Sequence, residues 1–92
     1  MIKSFKHKGS QKFYETGSTK SIQANHSRKL RMQLAALDTA INIEDLDLPG
    51  YRLHQLKGTR KETRSITVNG NWRITFKFTD GHVYIVNYED YH

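Results

Sequence analysis

Five positions in this 92-residue chain combine groups that move protons with groups that hold phosphate: His54, Lys57, Arg73, Tyr91 and His92. The last two close the stretch NYEDYH, residues 87–92, which sets two carboxylates, two phenols and an imidazole directly after an apolar run. Such a set suits metal-free RNA cleavage. There the ribose 2′-OH attacks the adjacent phosphate, a base takes its proton, a cation holds the charge that builds on the phosphoryl oxygens, and an acid protonates the leaving 5′-oxygen. Imidazole, with an ordinary pKa of about 6.5, serves either proton transfer near neutral pH. A phenol, near pKa 10, needs neighbouring cations before it can act as a base. Guanidinium grips phosphate in a two-point fork, and lysine adds a compact charge. Each residue also has a plainer reading: His54 as a surface histidine, Arg73 as a cross-sheet partner of Glu89 or Asp90, Lys57 as a loop charge, Tyr91 as an interface aromatic, His92 as a frayed end. Taken together on one basic chain, they favour the chemical reading.

Composition narrows the field. Ninety-two residues predict a single domain, residues 1–92, with a small core, so that surfaces must serve as sites. Cysteine is absent, which removes disulfides, thiolate nucleophiles and thiolate metal ligands. No His/Asp/Glu spacing resembles a metal site, no glycine-rich phosphate loop is present, and no Ser-His-Asp order emerges; no metal or cofactor is expected. The opening residues show no signal-peptide pattern and no stretch reaches membrane-span length, so the expectation is a soluble cytoplasmic protein without a membrane partner. The net charge of +6 is unevenly spread. Residues 1–31 hold eight Lys and Arg against Glu15 alone, residues 38–47 hold four acids and no base, and residues 52–64 hold five bases against Glu62. Two basic regions around an acidic turn point to a polyanion partner, nucleic acid above all.

The elements that must position these groups follow from periodicity. IKSF reads as a short first strand, and Ser10 to Gly17 as a short helix with a glycine stop. In HSRKLRMQLAALDTAI, Leu30, Leu34, Leu37 and Ile41 form one apolar helix face. From Tyr51 the period becomes two: Tyr51 and Leu53 face one way, Arg52 and His54 the other, with a bend or end near Leu56. Ile66 and Val68 form an inner pair, Asn69-Gly70 signals a type I′ hairpin, and Trp72, Ile74, Phe76 and Phe78 alternate with Arg73, Thr75 and Lys77. TDGH turns the chain again, and the last strand, apolar on both faces at first, should be central or covered. The expected fold class is α+β: an N-terminal strand and two helices packed on an antiparallel sheet. Arg52, His54, Arg73, Thr75 and Lys77 would share its polar face, with the basic loop Lys57–Arg64 at one end. His7, His26 and His82 read as surface residues.

Three segments, YRLHQLKG, SITVNGNWRITFKF and the terminal YEDYH, resemble the HigB toxins of the RelE/ParE superfamily. The likeness runs almost end to end, through IKSFKHKG at the start and LAALDTA in the second helix. The resemblance implies a compact RelE-like fold. It implies a ribosome-dependent endoribonuclease that cuts mRNA in the A site of the 30S subunit, against 16S rRNA, and so stops translation. A HigA-type helix-turn-helix antitoxin is implied as partner, with operator DNA bound only through it. Carried across position by position, the catalytic histidine falls on His54, the phosphate-binding arginine on Arg73, and the catalytic tail on Asp90, Tyr91 and His92. Lys57 matches the lysine of the HxLKG segment, and Arg60, Lys61 and Arg64 make up the remaining RNA- and ribosome-binding charge. One departure stands out. Where the family commonly has glycine, any residue and an aromatic before SI, this chain has Glu62, Thr63 and Arg64. Two competing readings are a ParE-like inhibitor of DNA gyrase, which needs no proton-transfer groups, and a non-catalytic RNA-binding module, which would expose stacking aromatics.

Overall fold

The computed structural model describes residues 1–90. Helix α1 spans Lys8–Thr16 and α2 spans Ser27–Thr39; strands β1 (His54–Gln55), β2 (Arg64–Asn69), β3 (Trp72–Thr79) and β4 (His82–Asp90) form one antiparallel sheet in the order β1-β2-β3-β4. The architecture is the α+β fold expected. Leu30, Leu34 and Leu37 of α2 and Phe13 of α1 bury against Ile66, Val68, Ile74, Phe76, Val83 and Val86 of the sheet. No described helix is long and apolar enough to cross a membrane.

Helix α1 begins two residues before Ser10 because the His7 imidazole caps it: the Ser10 N–H donates to Nδ1 at 2.9 Å. It ends where Gly17 takes φ 80°, the left-handed conformation that favours glycine. Helix α2 stops at Thr39, two residues short of Ile41. The Asp45 carboxylate accepts the Ile41 and Asn42 N–H groups at 2.9 and 3.0 Å, which starts a new turn at Ile43–Leu46. Ile41 is thereby left 73% exposed, outside the apolar face its spacing suggested. Gln33, in that same helix, is fully buried instead. Its amide donates to the Thr67 carbonyl at 2.7 Å, close to the register shift in β2 between Thr67 and Asn69.

The N-terminal strand is reduced to two parallel bridges, Ile2 to Val83 and Phe5 to Val86. This segment covers the outer edge of β4, as the apolar character of that strand required. It is tied to α2 by Asp38, whose carboxylate accepts the Ile2 N–H at 2.9 Å; that bond foremost holds the carboxyl below its usual range. Strand β4 is irregular at Ile85, a β-branched residue at φ 57°. Pairing runs Lys77 to Tyr84 on one side of the shift and Thr75 to Asn87 on the other. The extra residue is a bulge, which turns Val83 and Val86 both inward. Such a backbone costs about 1–3 kcal/mol; Ser4 Oγ offsets part of it by accepting the Ile85 N–H at 2.8 Å.

Two local expectations fail. Residues 51–53 are not strand, because Arg52 takes φ 50°; β1 starts only at His54. Asn69-Gly70 is not the centre of a type I′ turn. Asn69 pairs with Trp72, so the loop is Gly70-Asn71, with positive φ at Gly70 alone. The I′ pattern falls on Asp80-Gly81, both at positive φ (52° and 77°), between the paired Thr79 and His82.

His26 also departs from its surface reading. It is 4% exposed, its Nδ1 lies 2.6 Å from the Tyr88 hydroxyl, and Tyr88 stacks on Trp72 at 4.6 Å. His7 approaches the same Tyr88 ring at 5.7 Å. Burial lowers the pKa of both imidazoles, with Lys29 adding to the effect at His26. The unfolded chain therefore binds protons that the fold resists. This contribution to stability is complete above the ordinary histidine pKa of about 6.5 and is lost as pH falls below it. The melting temperature should drop between about pH 7 and 5, and His26→Gln should flatten that fall. An acid limb unchanged in His26→Gln would remove His26 as its source.

Candidate active site

Residues directly opposed across an antiparallel pair share a face. His54 opposes Ser65, Ser65 opposes Thr75, and Thr75 opposes Asn87, which makes one row across all four strands. Thr67, Arg73 and Glu89 make the next. Both rows lie on the face away from the helices, since the intervening Ile66, Ile74 and Tyr88 are buried in the core. Ser65 and Thr75 are 0% and 2% exposed even so.

Arg73 Nη1 donates to the Ser65 hydroxyl at 3.2 Å. Its guanidinium is thus anchored on the residue opposite His54, which is exposed. The arrangement sets a solvent-facing imidazole beside a fixed cationic fork. On the other side, the Glu89 carboxylate accepts from Arg60 Nη2 at 2.7 Å and from Asn87 Nδ2 at 3.0 Å. Glu89 does oppose Arg73 in register, and its carboxylate accepts from Arg60 and Asn87.

The remaining expected residues divide. Lys57 is exposed, in extended conformation just before the turn Gly58–Arg60; Gly58, at φ 71°, allows that turn. Arg60, expected as a loop charge, is folded onto the polar face by Glu89. Lys61 is exposed, and its carbonyl accepts from Gln55 Nε2. Arg64 opposes Phe76 and so belongs to the helix-side register, away from His54 and Arg73. Asp90 opposes Trp72 on that same register and is exposed. Tyr91 and His92 lie outside the described residues. Arg52 is exposed and precedes the sheet, so strand alternation does not place it beside His54. In the departing segment, Glu62 reaches Lys77 at 4.0 Å, and Thr63 lines a hollow on the polar face. Among the described residues, no group of three or more His, Asp or Glu is placed to hold a metal ion.

Sequence reasoning missed Ser65, Asn87 and Glu89 as parts of this face. Alternation through Ile66 and Val68 already puts Ser65 on the polar side. The other two follow only once the Ile85 bulge resets the phase of β4.

A basic α+β chain with an imidazole and an anchored guanidinium on an open sheet face has the build of a RelE-like toxin. The model of the HigB-like toxins, RelE-like toxins of type II toxin–antitoxin systems, matches residues 3–92, and the chain belongs to that family. Endoribonuclease HigB of Proteus vulgaris is 51% identical over 92 residues, the whole of both chains. Toxin HigB-1 of Vibrio cholerae serotype O1 is 35% identical over 83 residues, 88% of this chain and 87% of its own length. A toxin of this type has an antitoxin as partner.

Proposed function

We propose that the chain is an endoribonuclease that cuts mRNA in the A site of the ribosome and thereby stops translation, and that a HigA-type helix-turn-helix antitoxin restrains it. The observation that carries the proposal is the Arg73 guanidinium held by Ser65, directly across from His54. Arg73 grips the scissile phosphate and favours the charge that builds on it. His54, Tyr91 and His92 share the proton transfers: one group takes the 2′-OH proton, the oxygen closes on phosphorus, and another group protonates the departing 5′-oxygen. Lys57 adds positive charge beside the phosphate, and Asp90 helps to set the tail that bears Tyr91 and His92. Lys61 and Arg64 contribute to ribosome association. Identity to a relative named as an endoribonuclease supports this reading.

The face is shallow and open, and by itself it offers little to align a flexible strand for in-line attack. Alignment can supply roughly 7–11 kcal/mol of a barrier, and here the ribosome supplies it. Purified protein should cleave mRNA on programmed ribosomes far faster than naked mRNA, read by primer extension at single-codon resolution. Equal rates on the two substrates would overturn the ribosome requirement. Gyrase relaxation, run alongside, should be unaffected.

A further inference from the structure

We infer that the polar face carries a second phosphate subsite, built by Lys6, Arg60 and Lys77 around Thr75, which holds a phosphodiester of the RNA strand beside the one being cleaved. The inference rests on the endoribonuclease reading and adds to it a site separate from the His54–Arg73 centre.

Three observations carry it. First, a hollow of about 190 Å³ on this face is lined by Lys6, Arg60, Thr63, Thr75, Lys77 and Asn87, with Phe76 and Ile85 completing its wall. Its lining includes three cations and no acid. It is smaller than the roughly 300–1,000 Å³ typical of drug-sized ligands, and suits a compact anion. Second, the cations come from three separate segments that the fold brings together. Lys6 follows the parallel bridge at Phe5, Arg60 lies in the turn after β1, and Lys77 lies in β3. Arg60 is already oriented: Glu89 fixes its guanidinium at 2.7 Å, and Asn87 fixes Glu89. The acid nearest Lys77 is Glu62, at 4.0 Å with Lys77 about half exposed and Glu62 largely in solvent, a weak pair, so that with Arg60 balanced by Glu89 the net positive charge of the site comes from Lys6 and Lys77. Third, Thr75 belongs to the same cross-strand row as His54 and Ser65, and stands two residues from Arg73 along β3, about 7 Å. A strand with one phosphate on Arg73 lays its neighbour over Thr75. The bulge at Ile85 belongs to this design, because it returns Asn87 and Glu89 to the polar face.

The test measures binding by the full chain without cleavage. The probe is a fluorescent 2′-O-methyl oligoribonucleotide of about six nucleotides, which has no free 2′-OH and needs only a few phosphate contacts. Its anisotropy is titrated at several salt concentrations. The double variant Lys6→Gln/Lys77→Gln should bind roughly tenfold more weakly, with the salt slope reduced by about 1.4, two contacts at about 0.7 each. The control Lys12→Gln/Lys20→Gln removes the same charge from exposed positions outside the hollow and should leave affinity and slope near wild type. Inorganic phosphate should raise the melting temperature of wild type more than that of Lys6→Gln/Lys77→Gln, which keeps only the Arg73 site. Equal loss in the two double variants would reduce the effect to net charge and overturn the subsite; so would an unchanged affinity in Lys6→Gln/Lys77→Gln. Because the probe cannot be cut, failure of the nuclease reading shows in the ribosome assay and failure of the subsite shows here.

Discussion

Arg73→Ala should lose cleavage on programmed ribosomes by about 10²–10³ or more, the range seen when one preorganised transition-state donor is removed, and should lose it equally at every pH. Arginine stays charged throughout the working range, so its removal deletes electrostatic stabilisation without touching a titration. Arg73→Lys restores the charge but not the fork, and should recover only part of the rate. Ser65→Ala tests the positioning separately. Ser65 touches no substrate in this scheme; its hydroxyl accepts from Arg73 Nη1. Its loss should lower the rate less than Arg73→Ala does, and should leave Arg73→Ala almost unchanged when the two are combined. The measurement is single-turnover cleavage across pH, with thermal melting as a fold control and growth arrest on induction as the readout in cells. An Arg73→Ala protein that melts cooperatively and cleaves within about twofold of wild type would remove Arg73 from the transition state.

Removing the proton-transfer groups should have the other large effect, with a different signature. His54→Asn and deletion of His92 should each lower the single-turnover rate by about 10²–10⁴. Each should also flatten the pH–rate profile between about pH 5 and 8, which Arg73→Ala should not. If the two histidines act as one acid–base pair, their effects will not multiply: the double variant should be little slower than the worse single one. His54 is exposed, so its loss should leave melting almost unchanged. The fold control must be run at each pH, because His7 and His26 destabilise the fold as they protonate in that same window. A His92-deleted protein that melts and cleaves as wild type does would take the tail out of the mechanism, and His54 with Arg73 would have to carry it alone.

The sequence by itself determined what depends on local period. The Leu30, Leu34 and Leu37 face, the alternation from Trp72 to Phe78 and the glycine stop at Gly17 can be read from neighbours along the chain, because backbone geometry sets their spacing. It also determined the family, since the motifs that carry the resemblance span nearly the whole length. Tertiary structure decided whatever depends on register. Counting back from Ile66 puts Arg64 on the apolar side, yet its place in a basic loop concealed that until pairing with Phe76 was known. One bulged residue, Ile85, inverts the phase of β4 and so chooses the face for Asn87 and Glu89; a shift of one residue exchanges faces in any strand. The burial of His26 against Tyr88, 62 positions away, and the fold of Arg60 onto Glu89, 29 positions away, have no local signal. They arise when elements distant in sequence pack together, and the same packing sets Ser65 between His54 and Arg73.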